Sequence, residues 1–308
     1  CFAQKPYKVV FYNFENLFDT IRNPEIYDEE FTPEGPKKWN TPKYTKKINN
    51  LSRVLFDIAA INKDYPVVIG VSEIENRNVM EDVIATPKLA PANYRIVHYD
   101  SPDARGVDVA FYYRPDVFKL EGSAPIPFTM ESLPNFRTRD VVTMWGTIDG
   151  EPFYFMVAHW PSRLGGKEAS APKRERAAEI MRHAADSVLA INPATKVVMM
   201  GDFNARSRVD NWFYNYPEND TRLLVHDHIR NNTDLVDIIA ERNPGRFISS
   251  TYGNARIDFM YASPSMYGRV ANALIVIDKW TTATKSPYVS NFYLSLIHIS
   301  EPTRLRCI

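Results

Sequence analysis

The stretch that decides the fold reads Lys196-Val197-Val198-Met199-Met200-Gly201-Asp202-Phe203-Asn204. Four consecutive apolar residues are typical of a buried strand. After the strand, Gly201 lets the backbone approach a ligand closely, Asp202 can supply a base or metal ligand, and Asn204 offers an uncharged donor to a phosphate oxygen. A plain strand-to-turn junction has the same composition, because glycine, aspartate and asparagine all favour turns.

Seven further apolar segments are predicted to be strands: residues 8–14, 66–72, 107–113, 141–148, 153–158, 257–262 and 272–277. Several of them end in a polar side chain, namely Asn13, Glu73 and His159, and Asp258 lies within a later one. If these strands align, their ends meet at one edge, which is where open sheets build sites.

Three helices are predicted between the strands, over residues 44–62, 76–84 and 170–189. Ser170 is the expected N-cap of the third helix, with Pro172 in its first turn. Since no Gly/Ser-rich linker or internal repeat divides the chain, we interpret residues 7–293 as one domain.

The composition is that of an ordinary globular protein, with 44% hydrophobic residues and 37 basic against 37 acidic residues in 308. A net charge of zero argues against a tight non-specific DNA binder, although a local basic rim is enough for a nuclease. The two cysteines, Cys1 and Cys307, have no zinc-like or redox-like spacing. No apolar run is long enough to be a transmembrane segment.

The first residues, Cys1-Phe2-Ala3-Gln4-Lys5, resemble the end of a secretory signal peptide. Alternatively, Cys1 is the lipid-bearing first residue of a bacterial lipoprotein, or the sequence simply starts at an arbitrary point. We therefore expect residues 1–6 to be a signal-peptide remnant or lipoprotein N-terminus. The expected location is secreted or periplasmic, with a lipid anchor at Cys1 in the lipoprotein case.

Two further motifs carry candidate chemistry. In His159-Trp160-Pro161-Ser162-Arg163, the imidazole can donate to a developing oxyanion and Arg163 suits bidentate phosphate binding, although a histidine after a strand is often structural. Glu73 ends a buried strand, where a carboxylate is costly unless it is paired or binds a metal, and Glu75 is the competing ligand. The nearby cations, which form either a basic wall or a solvated helix face, are Lys167, Lys173, Arg174 and Arg176.

Taken in order from Phe11 to about Ala262, these motifs resemble the endonuclease/exonuclease/phosphatase superfamily, which has the DNase I-like fold. The resemblance rests on residues 12–19, Glu73, residues 106–110, the His159 motif, Gly201-Asp202-Phe203-Asn204 and residues 256–259. The residues 15–19 and 159–163 look like a bacterial branch that is usually secreted. The resemblance implies an α/β fold, a four-layer α/β/β/α sandwich, and a Mg²⁺-dependent phosphoesterase in which Mn²⁺ can substitute.

The resemblance also implies roles for individual residues. Asn13 and Glu73 match the residues that hold the metal and its surroundings, and Asn13, Asn76 and Arg163 are predicted to bind substrate. His159 matches the imidazole that stabilises the pentacovalent phosphorus. Asp202 matches the carboxylate that orients or deprotonates the attacking water, Asn204 a phosphate or metal contact, and Asp258 the carboxylate that fixes the catalytic histidines.

Three functions stay open from the sequence. The first is a phosphodiesterase, foremost a nuclease acting on DNA or RNA as a monomer, with Lys37, Lys38, Trp39 and Arg77 as candidate nucleic-acid contacts. The second is a phosphatase acting on a sugar, inositol or lipid phosphate. The third is a catalytically dead phosphate-binding module.

The end of the chain departs from the superfamily pattern, which has a Ser-Asp-His motif at the last core strand. Residues 294–304, from Leu294 to Arg304, instead resemble the translation of a sequencing adapter. We therefore interpret residues 294–308 as a non-native tail and expect the last core strand to be missing. His298 lies in that tail, and the pair His226 and His228 has no distant partner ligand. On this interpretation, we expect the chain as written to fold poorly or to hydrolyse very slowly.

Overall fold

The computed structural model describes residues 6–204, 235–239, 257–276 and 294–299. Within these ranges the strands are β1 Tyr7–Leu17, β2 Val68–Ile74, β3 Arg95–His98, β4 Asp108–Tyr113, β5 Phe118–Ile126, β6 Val141–Ile148, β7 Glu151–His159, β8 Lys196–Asp202, β9 Val236–Asp237, β10 Asp258–Ala262, β11 Val270–Val276 and β12 Leu294–Ile299. The helices are α1 Thr41–Ala60, α2 Arg77–Ile84, α3 Lys167–Ile191 and α4 Pro264–Tyr267. Short 3₁₀ helices lie at Glu29–Phe31, Ile61–Lys63 and Ala90–Ala92.

The strands form two sheets. The first has the order β11-β12-β1-β2-β4-β3 and the second the order β5-β6-β7-β8-β10-β9. Near the middle of each sheet lies one parallel pair, β1 with β2 and β7 with β8. Because parallel strands point the same way, the carboxyl ends of each pair lie at the same edge of the sheet.

The two sheets pack face to face, and helices cover their outer faces. Between the sheets, the rings of Phe111 and Phe155 lie 6.5 Å apart within one buried apolar cluster. A second cluster joins α1 and α2 to the first sheet, and a third joins α3 to the second sheet. This arrangement confirms the predicted four-layer α/β/β/α sandwich.

The helices begin close to the predicted positions, with one correction. Asn40 caps α1 and Asn76 caps α2, each accepting from a backbone N–H three residues on, at 3.2 and 3.1 Å. Helix α3 begins at Lys167 after Gly166, so the prediction that Ser170 is its N-cap was wrong. The Ser170 hydroxyl instead donates to the Gly166 carbonyl at 2.5 Å, and Pro172 lies inside the helix.

All eight predicted strands are present. The prediction that the last core strand is missing needs correction, because β12 occupies that place. Residues Leu294–Ile299 pair antiparallel with β1 on one side and with β11 on the other. The expected gap at the last core strand is therefore filled by residues that we had excluded from the fold. Its sequence Leu-Ser-Leu-Ile-His-Ile is rich in strand formers, and it pairs with β1 on the side away from β2.

No helix in the described part of the chain is long and apolar enough to cross a membrane.

Candidate active site

Four side chains from the two parallel strand pairs meet at one edge of the sandwich. Asn13 lies in β1 just before its irregular final residues, Glu73 lies near the end of β2, and His159 and Asp202 end β7 and β8. The Asn13 side-chain amide donates to Glu73 Oε1 at 3.3 Å and to Asp202 Oδ2 at 3.2 Å. This amide therefore links the two sheets through their carboxylates, as the strand-end pattern predicted.

His159 lies against both carboxylates. Its Nε2 is 3.9 Å from Glu73 Oε1 and 3.8 Å from Asp202 Oδ2. Its Nδ1 is buried and has no hydrogen-bond partner in the described part of the chain. Burial lowers the pKa of His159, and the charges of Arg139 and Arg105 lower it further, so the ring is neutral.

The backbone at Glu73 turns its carboxylate toward this edge. Glu73 has φ 58° and lies at a bulge between Ser72 and Ile74. A non-glycine residue in the left-handed region is costly, and such outliers concentrate at functional sites. The backbone N–H of Asn16 donates to Glu73 Oε2 at 2.9 Å, so both oxygens of this carboxylate are engaged.

Glu75 lies outside the cluster. Its Oε2 accepts from the backbone N–H of Asp19 at 2.7 Å, and burial raises its pKa to about 7. The bulge at Glu73 breaks the alternation that would have placed the two carboxylates on one face. The structure thus brings Glu73, the preferred candidate, to the site.

The turn after β8 fixes Asp202. Its Oδ1 accepts from the backbone N–H of Asn204 at 2.9 Å, and Asn204 has φ 47°. The Asn204 side chain donates to the Trp160 carbonyl at 3.1 Å, and Arg163 Nε donates to the Asn204 carbonyl at 3.0 Å. Asn204 and Arg163 therefore lie at the rim of the cluster. There the Asn204 side chain contacts the backbone of Trp160, and the Arg163 side chain contacts the backbone of Asn204.

Gly201 has a different role from the one expected. A Cβ atom at this position would lie 2.0 Å from the Ala158 carbonyl oxygen. The glycine is therefore needed because β7 approaches β8 closely, and that close approach brings Asp202 opposite His159 in the strand register.

The predicted site residues Asp258 and Asn76 lie in different places: Asp258 lies beside Asp202, and Asn76 lies outside the cluster. Asp258 is 1% exposed and faces Asp202 across the β8–β10 ladder, which places both side chains on the same side of the sheet. Asn76 lies outside the cluster, because its oxygen caps α2 and its Nδ2 donates to Asp19 Oδ2 at 3.3 Å.

Trp39 among the predicted nucleic-acid contacts and Arg174 among the predicted wall cations need correction. Trp39 is fully buried and its indole donates to the Phe18 carbonyl at 3.0 Å, so it is unavailable for base stacking. Arg174 is also fully buried and donates to Ser170 Oγ at 2.9 Å, so it belongs to neither a wall nor a solvated face. His226 and His228 lie outside the described residues.

Two buried cations that support the site were missed from the sequence. Arg139 donates to the carbonyls of His159 at 3.2 Å and Trp160 at 3.0 Å, and to Asp103 Oδ2 at 2.7 Å. Lys47 contacts the backbone of Glu15 and Asn16 near the end of β1. Lys47 could have been noticed, because it is spaced four residues before Leu51 on the apolar stripe of α1, whereas nothing in the sequence distinguishes Arg139.

The electrostatics of the cluster favour a bound cation. Burial and the charge of Glu73 together raise the pKa of Asp202 to about 7, while hydrogen bonds from Asn204 and Asn13 oppose the shift. One ligand atom each of Glu73, His159 and Asp202 lie within 4.8 Å of one another. The carboxylate oxygens of Glu73 and Asp202 fit a divalent cation such as Mg²⁺ or Mn²⁺, and the imidazole of His159 lies beside them. Asn13 faces the carboxylates with its NH₂, and its Oδ1 accepts from the Glu15 N–H at 2.7 Å.

The fold and the acidic cluster together define the architecture of the metal-dependent phosphoesterases. The sequence profile described as the Endonuclease/Exonuclease/phosphatase family matches residues 8–211, which is well over half of the chain. The chain therefore belongs to this family, whose members hydrolyse phosphoesters.

Solved structures with the same fold have little sequence identity to this chain. A Bacteroides vulgatus endonuclease/exonuclease/phosphatase has a TM-score of 0.62 at 14% identity, covering 96% of this chain and 99% of that one. The human Nocturnin catalytic domain with bound sulfate has 0.60 at 15%, covering 97% and 95%. The Bacteroides thetaiotaomicron mannosyl-6-phosphatase has 0.58 at 15%, covering 94% and 98%. A comparison with curated protein sequences gave no match.

Proposed function

We propose that this protein is a Mg²⁺-dependent phosphoesterase that hydrolyses phosphodiester bonds, foremost those of DNA or RNA. The observation that carries the proposal is the meeting of Glu73, His159 and Asp202 within 4.8 Å at the edge of the sandwich. The family match supports the reaction class, and Mn²⁺ is expected to replace Mg²⁺.

Glu73 is the residue that we assign to the metal, with Asn13 beside it. When bound, the metal neutralises negative charge on a phosphate oxygen and on the leaving group. The neutral imidazole of His159 can donate an N–H to a non-bridging phosphate oxygen as charge develops there.

Asp202 is the residue that we assign to the attacking water. Its carboxylate is oriented by hydrogen bonds from Asn13 and Asn204, and its raised pKa suits a general base. The water oxygen forms a bond to phosphorus, the bond from phosphorus to the leaving oxygen breaks, and Asp202 takes the water proton. Asp258 lies beside this group, and Arg163 and Asn204 are the proposed substrate contacts, whereas α2 and Asp19 hold Asn76 away from the cluster.

A phosphatase acting on a sugar, inositol or lipid phosphate is the second candidate. The structural similarity to a mannosyl-6-phosphatase and the formal net charge of zero favour it. A small phosphate monoester needs no extended basic groove, and Trp39 cannot stack on a base.

The secreted or periplasmic location, the lipid anchor at Cys1 and the monomeric state belong to the same proposal. Cell fractionation with a Cys1→Ser variant tests the first two, and size-exclusion chromatography with light scattering tests the third. Recovery of the protein in the cytosol, or as a dimer, would contradict the respective part.

The test of function compares hydrolysis of bis-(p-nitrophenyl) phosphate and p-nitrophenyl phosphate with Mg²⁺, with Mn²⁺ and with EDTA. We expect diester cleavage that EDTA abolishes. Asp202→Asn should lower the rate by about 10²–10⁴, because it removes the base while preserving shape. The matched control is Asp57→Asn, the same change on the far end of α1, which should leave the rate unchanged.

Monoester cleavage alone would favour the phosphatase. Cleavage that persists in EDTA or in Asp202→Asn would contradict the metal-dependent mechanism. Absence of both activities, together with binding of inorganic phosphate, would support the non-catalytic binding module instead.

A further inference from the structure

β1 has an unusual backbone near its end, in a segment that we call the Glu15–Asn16 turn. Glu15 and Asn16 are consecutive residues with φ 52° and 54°, at an irregularity in the β1–β2 pairing. Two successive non-glycine residues in the left-handed region are unfavourable, so surrounding contacts must hold them there.

One side of this turn faces the candidate active site. The N–H of Glu15 donates to Asn13 Oδ1 at 2.7 Å, and the N–H of Asn16 donates to Glu73 Oε2 at 2.9 Å. Both N–H groups point at the site because of the left-handed conformation. The turn therefore sets the orientation of the amide and of the carboxylate that we assign to the metal.

The other side of the turn faces α1, where Lys47 lies. The Lys47 ammonium donates to the carbonyl of Glu15 and to the carbonyl of Asn16, the latter at 3.4 Å. It also lies 5.8 Å from the ring of Trp39, whose indole donates to the Phe18 carbonyl. The carbonyls of Glu15 and Asn16 thus accept hydrogen bonds from Lys47, while their N–H groups donate to Asn13 and Glu73.

Burying the Lys47 ammonium costs free energy of folding, so its position calls for an explanation. Lys47 is 3% exposed, and the other buried residues of α1 are mainly apolar. The charged groups that influence it are Glu15 and Glu73, which favour the ammonium, and Lys37, which opposes it. A methionine would fill the same space without the cost, so the helix does not need a lysine here.

We propose that Lys47 is a positioning residue that holds the Glu15–Asn16 turn and, through it, the metal-binding orientation of Glu73. Its importance for hydrolysis rests on the proposed function. Its effect on Glu73 is a matter of metal binding and can be measured separately.

The sign of the effect distinguishes positioning from simple electrostatics. Removing a positive charge near two carboxylates reduces repulsion of a cation, so an electrostatic role alone predicts tighter metal binding. Loss of the contacts that orient a ligand predicts weaker binding, and outer contacts of this kind are typically worth about 10–100-fold in metal affinity.

The experiment measures Mn²⁺ binding to the full chain by calorimetry, for the wild type, Lys47→Met and Lys46→Met. Lys46 is the matched control because it is the neighbouring lysine and is exposed. We expect Lys47→Met to bind Mn²⁺ about 10–100-fold more weakly. Lys46→Met should bind like the wild type, and Lys47→Met should retain the wild-type circular dichroism spectrum.

Unchanged or tighter Mn²⁺ binding in folded Lys47→Met overturns the proposal. If Lys47→Met does not fold, Lys47→Gln replaces it: its shorter, neutral amide should weaken binding in the same direction, and wild-type affinity would again overturn the proposal.

The two proposals fail differently. If the wild type binds Mn²⁺ and Lys47→Met binds weakly, but no phosphoester is cleaved, the positioning role stands and the proposed function falls. If the wild type hydrolyses phosphoesters and Lys47→Met matches it in Mn²⁺ binding, the function stands and the positioning role falls. A wild type that binds no Mn²⁺ overturns both.

Discussion

Backbone groups as well as side chains orient the residues of the candidate active site. Glu73, Asn16 and Asn204 all adopt left-handed backbone conformations, with φ of 58°, 54° and 47°. Each such residue costs of order 1–3 kcal/mol and persists only where its surroundings determine it. At Asn16 and Asn204 the N–H groups donate to Glu73 and Asp202, so the strained conformations allow hydrogen bonds that orient the two carboxylates.

The buried ammonium of Lys47 should make stability depend on pH. Burial lowers its pKa to about 8 from 10.5, so between these values the unfolded chain binds more protons than the folded one. The free energy of unfolding therefore rises as pH increases through this window, and the gain is lost as pH falls through 8. We expect a contribution of about 1–2 kcal/mol between pH 7.5 and 9.5.

Urea denaturation at both pH values measures this contribution, since Lys47→Met should lack it and the exposed-site variant Lys46→Met should keep it. An equal pH dependence in the wild type and Lys47→Met would show that the ammonium does not titrate in this window.

The sequence predicted the residues at strand ends but not those that hold them. Asn13, Glu73, His159 and Asp202 were identified because a polar residue after an apolar strand is visible locally. Arg139 binds the carbonyls of His159 and Trp160, and the positions of such backbone atoms follow from the whole fold. Trp39 was misassigned to substrate for the same reason, since its burial depends on residues distant in sequence.

The direction of the strands determines where the site residues lie. The parallel pairs β1–β2 and β7–β8 end at one edge, and the register pairs Asn13 with Ser72 and His159 with Asp202. A one-residue slip would move these side chains to the other face of the sheet. Close packing between β7 and β8 protects this register.

Gly201 should be essential to the β7–β8 pair. A Cβ there would meet the Ala158 carbonyl at 2.0 Å, so Gly201→Ala must push the strands apart. We expect Gly201→Ala to lower the free energy of unfolding by about 3 kcal/mol, near the upper end for overpacking, and to reduce hydrolysis by displacing Asp202.

The matched control for Gly201 is Gly150, in the β6–β7 turn, where φ is 80° and nothing lies within 4 Å of a new Cβ. Gly150→Ala should cost only the conformational penalty, about 1 kcal/mol, and leave the hydrolysis rate intact. Equal destabilisation by the two substitutions in urea denaturation would contradict the role of close strand packing.

The strands that the sequence missed lie mainly at sheet edges. β5 and β3 are edge strands, and β5 contains Lys119, Glu121, Gly122 and Pro125. Such strands are half-exposed and tolerate glycine and proline, so they lack the apolar run that identified the central strands. The predicted start of α3 was wrong because Ser170 and Pro172 have the pattern of a helix start. The helix begins three residues earlier, at Lys167.

At the scale of the whole molecule, the residues of the candidate site come from both sheets. Asn13 and Glu73 belong to the first sheet and His159 and Asp202 to the second, and packing across the interior sets their distances. Because neither sheet holds a complete set of groups, the site exists only in the assembled sandwich. This dependence is the central claim of the proposed mechanism.

The most direct test is a double-mutant cycle across the two sheets, with Glu73→Gln and His159→Gln measured singly and together. The measured quantity is the Mg²⁺-dependent rate of bis-(p-nitrophenyl) phosphate hydrolysis. We predict that each single variant loses about 10²-fold or more and that the double variant loses little beyond the larger single loss, because groups that act as a unit are not additive. Full activity in Glu73→Gln or His159→Gln, or losses that multiply as independent effects, would contradict a single site shared by the two sheets.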